Sequence, residues 1–155
     1  MQKESVWDYP RPPRLEPCSK LIEVIFAGVQ IAQTTQSFRV LETSHPPVYY
    51  IPQGNIVMSC LKLAPGASFC EWKGTASYWD LEVNGKLVRK VAWSYAAPTP
   101  PFTRIKDHLA FYADKMESCT VDGELVRPQP GNFYGGWITD NLVGPFKGEA
   151  GSGGW

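Results

Sequence analysis

Short runs of apolar and β-branched residues, divided by Gly, Pro, Asn and Asp, recur along the whole chain, and they predict strands. Leu21, Ile22, Val24, Ile25 and Phe26 lead to Gly28 and then to Val29, Ile31 and Ala32, which reads as a first hairpin about a tight turn. Ser37 to Leu41 and Val48 to Ile51 are further strands. His45, Pro46 and Pro47 separate them as a stiff loop, because successive prolines cannot donate to a ladder. Ile56 to Leu63 is an apolar run open to either strand or helical turns, and Pro65-Gly66 is expected to end it. The clearest local signal spans Ser77 to Tyr95, where two β-rich runs flank Asn84-Gly85, the signature of a type I′ hairpin. After a Pro-rich connector, Ala96 to Pro101, the spacing of Phe102, Ile105, Leu109, Tyr112 and Met116 predicts a short helix followed by a strand. Ser118 to Val126 gives a last hairpin about Asp122-Gly123. The fold class that follows is mainly β, with antiparallel sheets and one short helix.

The chain has 155 residues, the size of one domain. Residues 1–17 hold Pro10, Pro12, Pro13 and Pro17 and read as an extended N-terminal arm, which Trp7 and Tyr9 would pin to the body. Residues 18–147 form the β domain. Residues 148–155 are a Gly-rich tail: 8 of the 14 glycines fall in the last 25 residues, beside Phe133, Tyr134, Trp137, Phe146 and Trp155. Glycine next to aromatics permits close backbone approach to a flat group, an expectation kept for Gly135, Gly136 and Trp137.

Charge changes the picture by exclusion. Fifteen basic residues balance fifteen acidic ones, without a run of Lys or Arg longer than two, so neither nucleic acid nor an anionic membrane is an expected partner. Apolar runs fall short of the roughly 18 residues of a membrane span, and the N-terminus does not look like a signal peptide; a cytoplasmic protein is expected. Cys18, Cys60, Cys70 and Cys119 stand far apart, with only His45 and His108 to supplement them, so no metal, no cofactor and no disulfide is expected.

Several strings taken together are diagnostic of a family. They are Leu41-Glu42-Thr43-Ser44-His45-Pro46-Pro47 running into Tyr49-Tyr50, Cys70-Glu71-Trp72-Lys73-Gly74, Ala92-Trp93-Ser94-Tyr95, Ala110-Phe111-Tyr112, Pro130-Gly131, Phe133-Tyr134-Gly135-Gly136-Trp137 and Gly144-Pro145-Phe146-Lys147-Gly148. In these the chain closely resembles the bacterial family called domain of unknown function four-two-seven. The resemblance implies a compact domain of β-tent topology. Relatives of that topology commonly pin two sheets with zinc held by two cysteine pairs; this chain lacks the pairs, so the zinc is not carried over. The family also carries a nucleotidyltransferase-like name. Asp80 and Glu82, at i and i+2, would share a strand face as a Mg²⁺ site requires, but Pro65-Gly66-Ala67 replaces the expected upstream Gly-Gly or Gly-Ser, and no third carboxylate follows on an obvious neighbouring strand.

Two constellations carry candidate chemistry. Cys70 as nucleophile, His45 as base and Glu42 as its orienter form one, although the spacing of Cys70 and Lys73 brings them together only in a turn. The other is an aromatic pocket for a small planar or charged molecule, built from Tyr49, Tyr50, Trp72, Tyr78, Trp93, Tyr95, Tyr134 and Trp137, with Lys73 and Arg39 to orient an anionic group. About half of these rings are expected to serve as core. A homodimeric interaction protein is a third reading, since pairing would cover the Pro-rich arm and exposed strand edges. The residues do not by themselves name a reaction.

Overall fold

At Ala27-Gly28, Asn84-Gly85 and Asp122-Gly123 both turn residues hold positive φ, 50 and 75°, 53 and 78°, and 48 and 82°. This is the type I′ combination, whose twist matches that of paired strands. The computed structural model describes residues 2–131 and 133–155; Met1, in the expected arm, and Asn132, in the expected domain, lie outside the described residues.

The strands run in chain order as β1 (Glu4–Ser5), β2 (Arg14–Cys18), β3 (Ile22–Phe26), β4 (Val29–Thr34), β5 (Ser37–Leu41) and β6 (Val48–Tyr50). A long meander follows, β7 (Leu61–Cys70), β8 (Gly74–Val83) and β9 (Lys86–Ser94). After it come β10 (Ala110–Phe111), β11 (Ser118–Val121), β12 (Glu124–Leu125), β13 (Arg127–Pro128), β14 (Trp137–Ile138) and β15 (Leu142–Val143). They assemble into sheets of order β2-β5-β6, β12-β11-β3-β4 and β10-β9-β8-β7, with an antiparallel pair β13-β14 and a parallel pair β1-β15. The fold is mainly β and its three larger sheets are antiparallel.

Two local expectations change in the structure. Pro65-Gly66 does not end a strand: β7 passes through both, shifting register between Leu63 and Ala67. It lies at the edge of its sheet, where proline's missing N–H removes no ladder bond. The short helix before a strand is present as a 3₁₀ segment, Pro100–Ile105, followed by β10, but it stops sooner than the spacing suggests. Leu109 exchanges backbone hydrogen bonds with Ile51 at 2.8 and 2.9 Å, and this pairing holds it extended.

Alternation along strands divides the apolar residues between two clusters. Tyr49, Ala92 and Phe111 face the larger one, with Ile22, Ile31, Leu81 and Trp137. Their chain neighbours Tyr50, Trp93 and Ala110 face the other, with Val40, Tyr95, Phe102 and Ile105. Successive side chains of a strand point to opposite faces, so the sheet of β6 and the sheet of β9 and β10 each serve both clusters. The N-terminal residues dock through a third group, in which Val6 is fully buried with Tyr9 and Leu41; burying one such valine stabilises by about 1.5–3 kcal/mol. Among the described residues no helix is long and apolar enough to cross a membrane.

Candidate functional site

The smaller cluster does not close. Beside it lies an open cleft of about 600 Å³. Its floor comes from alternate residues of neighbouring strands: Ser68 and Cys70 of β7, Ala76 and Tyr78 of β8, and Trp93 of β9 followed by Tyr95. Val48 and Tyr50 of β6 continue it, and the turn Glu71–Lys73 makes one end. The opposite wall is loop: Glu42, His45, Gln129, Tyr134, Lys147 and Trp155.

Trp93 organises the floor. Its indole Nε1 donates to the Tyr50 hydroxyl at 3.2 Å, and its ring lies 4.6 Å from that of Tyr112. Gly135 lies against the same ring, where a Cβ would fall 2.1 Å from Cη2. The flat group that glycine lets the backbone approach is thus the protein's own tryptophan. Burial pushes the phenols of Tyr50, Tyr95 and Tyr112 above their ordinary range, so all three are neutral hydrogen-bonding groups at physiological pH.

Gln129 holds the far wall and fixes the protonation of His45. The Gln129 Oε1 accepts from Gly136 N–H at 3.0 Å, which assigns the amide's orientation. Nε2 therefore donates, to the Lys147 carbonyl at 2.9 Å and to His45 Nδ1 at 3.1 Å. With Nδ1 accepting, the imidazole proton sits on Nε2, 3.7 Å from a Glu42 carboxylate oxygen. Burial, aided by the positive charges of Arg11, Lys147 and Lys73, lowers the His45 pKa from 6.5 to about 4. The ring is neutral near pH 7, so its 3.7 Å contact with Glu42 is not an ion pair there.

Ten of the residues singled out from the sequence line this cleft: Cys70, His45 and Glu42, then Tyr50, Trp72, Lys73 and Tyr78, then Trp93, Tyr95 and Tyr134. Cys70 is a half-buried free thiol, and among the described residues no hydrogen bond joins it to His45. Tyr49, Trp137 and Arg39 lie elsewhere. Tyr49 is the strand neighbour of Tyr50 and points to the larger core, stacked on Trp137 with ring centroids 5.2 Å apart. Burial raises the Tyr49 pKa to about 12. The Trp137 indole donates to the Phe111 carbonyl at 2.9 Å. Arg39 is held between Glu4, at 3.0 Å, and Glu16. Asp80 and Glu82 lie outside the cleft too: Asp80 accepts from Lys90 N–H at 2.8 Å at an irregularity between β8 and β9, and Glu82 is exposed.

Arg11, Tyr112, Gln129, Phe133, Lys147 and Trp155 line the cleft without having been singled out as site residues. Tyr112, Phe133 and Lys147 stand inside strings that carry the family resemblance; Gln129 carries no local signal.

The profile of the family described as domain of unknown function (DUF427) matches residues 14–122. The chain belongs to the DUF427 family. The matched span holds β2 through β11, and with them the strand-built floor of the DUF427 cleft and its Glu42 and His45. Gln129, Tyr134, Lys147 and Trp155 come from beyond it. No curated protein matches the chain.

Proposed function

We propose that this DUF427 domain binds a small planar or charged molecule in the aromatic cleft. One observation carries the reading: rings from β6, β8 and β9 gather with Lys73 around an open hollow of about 600 Å³. Ligand sites commonly occupy roughly 300–1,000 Å³, with mostly apolar walls and a few placed polar groups. Hydrogen bonds of Trp93 and Gln129 hold these walls before any ligand arrives, which lowers the ordering cost of binding. A thermal-shift screen of a metabolite library tests the reading, because a ligand at 100 times its Kd adds about 2.7 kcal/mol of stability. Hits should be lost in Ser68→Trp, which fills the cleft from β7. Hits that survive that substitution, or a library without hits, would count against it.

A second reading, thiol chemistry, draws on the presence of Cys70, His45 and Glu42 in the same cleft. Alkylation by iodoacetamide across pH tests it: a Cys70 no faster than a free thiol near pH 7 is not an activated nucleophile.

A further inference from the structure

We infer that the ligand is an aromatic carboxylate, its ring against the aromatic wall and its carboxylate taking the Lys73 ammonium as counter-charge. The inference rests on the cleft being a small-molecule site and names the class of molecule.

Lys73 is 9% exposed, an unusual degree of burial for a lysine. Its Nζ lies 5.9 Å from the ring centroids of Tyr95 and Phe102, at the outer limit of a cation–π contact. Among the described residues no hydrogen bond or ion pair engages its ammonium, and it lines the cleft. A largely covered lysine with no anion beside its ammonium is disfavoured, and the fold nevertheless holds this one at the cleft. The Lys73 carbonyl accepts from Thr99 N–H at 3.1 Å, and the Trp72 carbonyl from the Thr99 hydroxyl at 2.5 Å. Gly74 follows with φ of 107°, where a Cβ would meet the Ala97 carbonyl at 3.4 Å. The turn that carries the lysine is clamped against the connector.

The other two cations of the cleft are engaged. Arg11 pairs with Glu42 at 3.4 Å and donates to the Thr43 carbonyl at 2.9 Å. Lys147 donates to the carbonyls of Ser152 and Gly153 at 2.7 and 3.0 Å. Among the described cleft residues Lys73 is therefore the cation left for a ligand, and one ammonium matches a singly charged carboxylate better than a phosphate dianion. The aromatic part follows from the lining, in which Phe69 is 74% and Phe133 60% exposed. Two exposed apolar rings on a cleft that Trp72 and Tyr78 also line lose part of that exposure when a flat ring enters.

The test uses 2-naphthoate, 2-naphthamide and 2-naphthyl phosphate, titrated calorimetrically into the full chain and into Lys73→Met and Lys73→Arg. Naphthoate should bind at least tenfold more tightly than the amide or the phosphate. Lys73→Met should reduce naphthoate to the amide's affinity and leave the amide unchanged, and Lys73→Arg should keep the preference. Ligand-free Lys73→Met should melt no lower than the parent protein, since it removes a charge that has no counter-ion and keeps the covered stem. Equal binding of acid and amide would overturn the inference while leaving the cleft as a binding site. A preference that survives Lys73→Met, tighter binding of the phosphate, or a melting temperature several degrees lower in Lys73→Met would overturn it too. So would failure of all three probes, in which case the metabolite screen separately decides whether the cleft binds anything.

Discussion

Gly135 lies against the Trp93 indole, so close that a Cβ would fall 2.1 Å from ring atom Cη2 and 2.6 Å from Cζ3. Trp93 cannot withdraw freely, because its Nε1 is bonded to buried Tyr50. Gly135→Ala should therefore destabilise by roughly 1–3 kcal/mol, the cost of overpacking a filled site, and should shift the tryptophan emission. Urea unfolding checks it. Gly54→Ala, with nothing within 4 Å of its added Cβ, is the control and should change stability by at most about 0.5 kcal/mol.

His45 sets a pH dependence. Its pKa falls from 6.5 in the unfolded chain to about 4 in the fold. Between those values the unfolded state binds a proton that the folded state does not, so stability declines as pH drops from about 6.5 and this contribution flattens below about 4. The full effect is on the order of 3 kcal/mol. His45→Asn, whose side-chain oxygen can still accept from Gln129, should remove it. The difference between the two proteins' unfolding free energies, measured from pH 7.5 to 4.5, should change across that window; parallel curves would clear His45 of the role.

Burial and the neighbouring cations hold His45 neutral, and its contact with Gln129 acts in the same direction. At 3.1 Å the Gln129 Nε2 donates to Nδ1, and an imidazolium would place two donors face to face. Gln129→Glu turns that donor into an acceptor and should raise the His45 pKa toward or above 6.5. It also sets a carboxylate against the Lys147 carbonyl, which should destabilise the protein near pH 7. Nitrogen chemical shifts of the imidazole followed against pH read both the tautomer, Nε2–H in the parent protein, and the shift.

Arg39 tests the boundary of the cleft. Its side chain is 15% exposed and joins Glu4 to Glu16, and those bonds hold its pKa above the ordinary value although burial acts to lower it. Arg39→Met strands two carboxylates at once. The expected loss is roughly 2–3 kcal/mol, below the figure for a fully buried pair because both glutamates reach solvent. Affinity for any ligand of the cleft should stay within about twofold, as calorimetry would show.

Legibility in the sequence followed the range of the physics. Asn84-Gly85 and Asp122-Gly123 announce their hairpins because positive φ is a demand on the residues themselves. β5 lies over Ser37–Leu41, where its apolar run predicts it. Pro65-Gly66 misleads because edge position depends on where the other strands go. Gln129 stays hidden because the histidine it orients lies 84 positions away, and no local pattern marks such a pair.

The sequence by itself determined that the chain would make antiparallel hairpins, where three of them turn, and that some of its rings would serve as core. Only the tertiary structure decided which rings line a cleft. Tyr49 and Tyr50 are equivalent in pattern and adjacent in the chain, yet one stacks on Trp137 in the core and the other receives the Trp93 hydrogen bond beside the hollow. A strand's alternation specifies that neighbours part company; what covers each face, and therefore which face stays open, is settled by segments distant in sequence.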